Sequence, residues 1–173
     1  MHDAALPVEL RSAASFFVSD SADMPYVETA IDIAAPRRGI YDLAKDMERY
    51  AEFMPDVEYV RIVRRDGNKT ITRWKTLVEE APIEWTEEDV FDDERTRIDY
   101  RLIDGDLDKF EGSWTFEEHG GVTHVVLSVD YDFGVPTLAE LIGPILHKKV
   151  EENSLMMLRA LKAKSEGPEG SAG

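Results

Sequence analysis

Apolar and polar residues alternate over 26–33, the two-residue period of a half-buried strand. Pro36 then occupies a favoured helix-opening position. Ile40, Leu43, Ala44 and Met47 follow at spacings of three and four, which predicts a short helix. A second helical turn over 48–53 stops before Pro55. From there the period returns to two, interrupted at Asp66-Gly67-Asn68, Ala81-Pro82, Asp92-Asp93-Glu94, Asp104-Gly105-Asp106 and His119-Gly120-Gly121. These turns delimit six strands, at 57–65, 69–79, 83–91, 95–103, 108–118 and 122–133. Short connections make successive strands antiparallel neighbours in a meander. The last element is a helix over 136–165 with Leu138, Leu141, Ile142, Ile145, Leu146, Val150, Leu158 and Leu161 as its apolar stripe. Pro144 within it predicts a kink or a restart.

Seven strands and one long helix bury both apolar faces if the sheet curls and the helix lies across its concave side, an α+β arrangement. A sheet that wraps a helix loosely leaves a pocket between them. Residues 25–165 form one unit with no internal repeat. Residues 1–24 read as a loosely ordered arm or short helix, and 166–173 as a disordered tail of small and polar residues.

Period two sorts the faces. Val125, Leu127, Val129, Tyr131 and Phe133 share the inward side of the last strand; Phe110, Gly112, Trp114 and Phe116 share that of the strand before. Ile98, Tyr100 and Leu102 point inward from 95–103, and Trp74 and Val78 from 69–79, where Ile71 and Leu77 fall on the opposite parity. The strand at 83–91 is anomalous, because the parity of Ile83, Trp85 and Phe91 also carries Glu87 and Asp89. Two readings stay open: both carboxyls enter the interior, or a bulge or twist turns them out to water. Buried acids are rare unless paired, yet an apolar surrounding raises their pKa toward values suited to proton transfer.

The chain has 173 residues with 20 basic and 36 acidic side chains, a formal charge of −16, and no cysteine. The charge argues against a nucleic-acid partner, since such binding rests on phosphate neutralisation. The missing cysteine removes thiol nucleophiles, cysteine zinc sites and disulfides. No long apolar run and no basic leader occurs, so a cytoplasmic location is expected. The four histidines show no metal-ligand spacing, and no GxSxG, P-loop or dinucleotide fingerprint is present, so neither metal nor cofactor is expected. Arg61, Arg64, Arg65, Lys69, Arg73 and Lys75 cluster on the first two strands of the meander. They read as a solvated face paired with acidic strands, or as a docking patch for an acyl carrier protein or membrane headgroups.

The stretch 26–36 (YVETAIDIAAP), the turn Tyr50-Ala51-Glu52-Phe53-Met54-Pro55 with Val60 after it, and the run Gly112-Ser113-Trp114-Thr115-Phe116-Glu117 resemble the START-like (SRPBCC) superfamily. So do Val129-Asp130-Tyr131-Asp132-Phe133 and Gly143-Pro144-Ile145-Leu146 leading to Arg159. The likeness spans 25–164 and is nearest to the polyketide cyclase/dehydrase group that includes coenzyme-Q-binding START-like proteins. It implies a helix-grip fold: a seven-stranded curled antiparallel sheet around a long C-terminal helix, with two short helices after the first strand. It implies a deep apolar pocket for polyketides, isoprenoid quinones or lipids, with 53–57 at the mouth. Trp85 matches a tryptophan of the cyclase branch, but the arginine expected four residues on is Asp89; the branch's tyrosine falls near Val57 and its asparagine near Met156, a turn from Asn153. A carboxylate thus stands where that branch carries a cation to stabilise an enolate.

The sequence therefore points to a binder of a hydrophobic small molecule, acting as carrier or chaperone. Its candidate ligand contacts are Phe53, Trp74, Trp85, Phe110, Trp114, Tyr131 and Met157, with Asn153 and Asp89 as polar anchors. The alternative is a polyketide aromatase/cyclase or dehydratase in which Asp89 or Glu87 is the general acid–base. Oligomeric state is not legible.

Overall fold

A computed structural model of the protein describes residues 25–168 apart from Glu79 and Val135, with the backbone alone over 136–142. The expected arm at 1–24, residues 169–173 of the expected tail, and the side chains of Leu138, Leu141 and Ile142 lie outside the described residues. Strand β1 (Tyr26–Ile33) leads into helix α1 (Arg37–Lys45), a 3-10 turn (Met47–Arg49) and helix α2 (Tyr50–Phe53). Six strands follow, β2 (Val57–Asp66), β3 (Lys69–Val78), β4 (Ala81–Asp92), β5 (Arg97–Gly105), β6 (Lys109–His119) and β7 (Val122–Asp132). Helix α3 (Pro136–Glu166) closes the fold and continues through Pro144.

The strands form one antiparallel sheet in the order β1-β7-β6-β5-β4-β3-β2. The meander runs in chain order, and β1 pairs beside β7 with Tyr26 opposite Asp130 and Ile33 opposite Thr123. Helix α3 packs on β1, β7 and α1. Leu158 and Leu161 are fully buried on it, while Leu146 and Val150 face the sheet nearer the helix N-terminus. Ile145 is 59% exposed and leaves the predicted stripe, because the inward row runs through 146, 150, 154, 157 and 161 at three- and four-residue steps.

Helix α1 buries Ile40, Tyr41 and Ala44. Pro36 sits one position earlier than expected, as the residue capping the helix, with extended backbone. No side chain of its own caps α1; instead the Glu118 carboxylate on β6 accepts the Arg37 N–H at 2.9 Å, placing negative charge at the helix's positive end.

The inward side of β3 carries Thr70, Thr72, Trp74 and Thr76, all buried. Three threonines hide this face from a hydropathy reading, although their β-branched bodies suit a strand. The β4 ambiguity is resolved inward. Pairing shifts between Thr86 and Glu87, but the unmatched residue is Ile103 on β5, which is 52% exposed. β4 itself keeps its phase, so Trp85, Glu87 and Asp89 all remain on the concave side.

Candidate functional site

The concave sheet and α3 enclose a cavity of about 310 Å³, at the low end of the roughly 300–1,000 Å³ typical of small-molecule pockets. Trp74, Trp85, Phe110, Trp114 and Tyr131 line it from the sheet, and Leu146, Val150, Asn153, Ser154 and Met157 from the helix. All three tryptophans of the chain thus reach one space. Trp74 and Trp85, register partners on β3 and β4, stack with centroids 5.5 Å apart and planes 9° from parallel. Phe110 packs on Trp85 at 5.1 Å and on Tyr100 at 5.6 Å, extending an aromatic wall across four strands.

The polar chemistry lies under the two indoles. Trp85 Nε1 donates to Glu87 Oε2 at 2.6 Å. Trp74 Nε1 donates to Thr72 Oγ1 at 3.0 Å, and Thr72 donates in turn to Asp89 Oδ2 at 2.6 Å. Glu87 is 3% exposed and lines the cavity; Asp89 is fully buried behind it and does not. Neither carboxyl has an ion-pair partner among the described residues. Asp89 Oδ1 has no hydrogen-bond partner among the described residues, although Glu87 is close enough for the two acids to influence each other's protons.

Burial without a cation has a predictable result. Desolvation, then the Asp89 charge, hold the Glu87 carboxyl well above the usual carboxylate range. Desolvation pushes Asp89 from 3.8 up to about 6, against the Thr72 hydrogen bond that favours its ion. Two acids two residues apart on one strand face, roughly 7 Å between Cα atoms, do not ionise independently. Burial favours the proton-bearing form of both groups, and the shift is the larger at Glu87.

Of the candidate contacts read from sequence, Trp74, Trp85, Phe110, Trp114, Tyr131, Asn153 and Met157 all line the cavity. Phe53 does not; it packs edge-on against Tyr50 at 5.9 Å. Asn153 Nδ2 reaches Asp56 Oδ2 at 3.4 Å, tying the helix to the segment after α2. Tyr59 donates to Glu84 at 3.0 Å, away from the lining. Sequence reading missed Thr76, Leu107, Lys149 and Ser154 on the lining; helical steps of three and four from Val150 and Leu146 identify the last two. In the basic cluster, Lys75 pairs with Glu58, Arg73 with Glu84 and Arg64 with Asp66. Among the described residues no group of three acids or histidines is placed to hold a metal, and no helix is long and apolar enough to cross a membrane.

Residues 33–157, well over half of the chain, match the family described as polyketide cyclase / dehydrase and lipid transport. Over 135 residues the chain is 30% identical to the actinorhodin polyketide synthase bifunctional cyclase/dehydratase of Streptomyces coelicolor, covering 76% of this chain. It spans only 41% of that curated relative's length. A crystal structure of a Thermus thermophilus protein superposes with a TM-score of 0.80 at 31% identity, covering 86% of this chain and 100% of the other. A START superfamily protein from Mycobacterium smegmatis superposes with a TM-score of 0.73 at 19% identity, over 82% of this chain and 97% of the other; that likeness shows the fold.

Proposed function

The chain belongs to the polyketide cyclase/dehydrase and lipid-transport family, and from that premise we propose that it binds an apolar small molecule (a polyketide, an isoprenoid quinone or a lipid) as a carrier or chaperone. One observation carries the reading: an apolar cavity of about 310 Å³ with an aromatic wall, bounded by the long helix. A gap of that size between buried elements forfeits dispersion contacts that a ligand restores. The test is where the uncharged fluorophore N-phenyl-1-naphthylamine binds, read by intermolecular nuclear Overhauser contacts to the lining side chains.

A second reading is supported by Glu87, a buried carboxyl on the wall of the same cavity, and by the cyclase/dehydratase named for the Streptomyces coelicolor relative. In it Glu87 acts as general acid–base in cyclisation or dehydration of a poly-β-ketone. General acid–base groups typically supply about 10²–10⁴-fold in rate. Turnover of a poly-β-ketone substrate that falls by that factor in Glu87→Gln supports catalysis; turnover that survives the substitution contradicts it.

A further inference from the structure

We propose that Glu87 sets the polarity of the ligand: its carboxyl donates a hydrogen bond to a carbonyl or hydroxyl oxygen of an uncharged molecule and turns away molecules that end in a carboxylate. The inference rests on the cavity being a ligand site. Glu87 Oε2 is occupied by the Trp85 indole hydrogen, which leaves Oε1 to carry the proton. Asp89, buried behind it with Oδ1 unpartnered, is the like charge that keeps that proton in place. A protonated carboxyl in an apolar wall is a strong donor to a ketone. A ligand carboxylate would stand beside the Asp89 charge, and beside two charges once Glu87 ionises, with no ion-pair partner for either acid among the described residues.

An independent observation points the same way. Tyr131 lines the cavity from β7, is 2% exposed, and its hydroxyl has no hydrogen-bond partner among the described residues. Buried hydroxyls are normally paired, so this one is a polar group for a ligand to satisfy. Thr76, Asn153 and Ser154 complete an uncharged polar lining. The cation on the lining, Lys149, stands on α3 with its Nζ 3.3 Å from Glu152 Oε2. The titratable groups bearing on Glu87 are Asp89 on its own strand, with Glu88 acting on Asp89; Tyr100 on β5 and Tyr50 on α2; and Lys149 across the cavity. Burial holds both phenols well above their usual range, so they stay neutral when Glu87 titrates.

The experiment displaces N-phenyl-1-naphthylamine with 2-acetylnaphthalene, 2-ethylnaphthalene and 2-naphthoate, using the full chain and its Glu87→Gln and Glu87→Leu variants between pH 5 and pH 10. In the wild type the ketone is expected to bind at least threefold tighter than the ethyl compound at pH 6, with this advantage disappearing as Glu87 ionises. Glu87→Gln keeps a donor but cannot ionise. It should hold ketone affinity within about twofold, flatten the pH profile and raise naphthoate affinity at least fivefold at the alkaline end of the range, where the wild-type Glu87 is ionised; Glu87→Leu should abolish the ketone advantage. If naphthoate matches the ketone in the wild type, or its affinity at the alkaline end is unmoved by Glu87→Gln, Glu87 does not select polarity and the proposal is overturned. Ethyl and ketone compounds binding equally at every pH overturn it too, while leaving the cavity reading intact. Failure of every naphthalene to bind overturns both.

Discussion

Gly112→Ala is expected to destabilise the protein by about 3 kcal/mol or more, a fall in Tm of roughly 6–12 °C for a domain of this size. Gly112 lies directly between Tyr100 on β5 and Val129 on β7. The Tyr100 hydroxyl passes over it to donate to the Ser128 carbonyl at 2.7 Å. A Cβ on Gly112 would stand 1.9 Å from that carbonyl oxygen and 2.7 Å from the Tyr100 oxygen. The nearer obstacle is main chain, so relief requires strands β6 and β7 to part where the sheet carries the cavity wall. For that reason Gly112→Ala/Tyr100→Phe should remain as unstable as the single variant when both are unfolded in urea. An alanine variant within 0.5 kcal/mol of wild type, or rescue by Tyr100→Phe, would show that the sheet is not closed against this glycine.

Asp89→Asn should stabilise the protein at pH 8 by about 2–3 kcal/mol and leave it unchanged at pH 4. Burial raises the Asp89 carboxyl to about 6 in the folded state, against 3.8 for the free group. Below about pH 4 both folded and unfolded chains hold this proton. Between pH 4 and pH 6 the folded chain holds more of it, so stability falls as pH rises; above pH 6 the loss is complete. The amide is neutral throughout. It can accept from Thr72 as the carboxylate does, and its NH₂ can donate toward Glu87. The difference in unfolding free energy between variant and wild type, followed from pH 4 to pH 8, isolates this site from the other acids of a chain of charge −16. A variant destabilised at pH 8 and not at pH 4 would mean that the Asp89 carboxylate contributes favourably as an ion.

The elements were legible because each has a local cause. Asp66-Gly67-Asn68 and His119-Gly120-Gly121 break the two-residue period, and the strands on either side run to within a few residues of those turns. The aromatic lining was legible for the same reason: Trp85, Phe110, Trp114 and Tyr131 fall on the inward parity of strands whose phase the apolar residues set. What escaped depends on contacts between elements. Hydropathy treats a carboxyl as charged, so Glu87 and Asp89 looked misplaced, whereas the indole of Trp85, the hydroxyl of Thr72 and a retained proton make them tolerable inside. A bulge, one of the two readings the sequence left open, does exist, but it falls on β5 at Ile103 and leaves both acids facing inward. Periodicity also cannot say that Phe53 is taken up by Tyr50 and stays off the cavity lining.

The central claim is that the space between α3 and the sheet receives an apolar ligand. Intermolecular nuclear Overhauser contacts in the complex with N-phenyl-1-naphthylamine test it most directly, because they report position as well as affinity. Contacts are predicted from the fluorophore to the Met157 and Val150 methyl groups on the helix and to the indole protons of Trp74, Trp85 and Trp114 on the sheet. Contacts confined to exposed apolar side chains such as Val63 and Ile103, with none to the three indoles, would contradict the account.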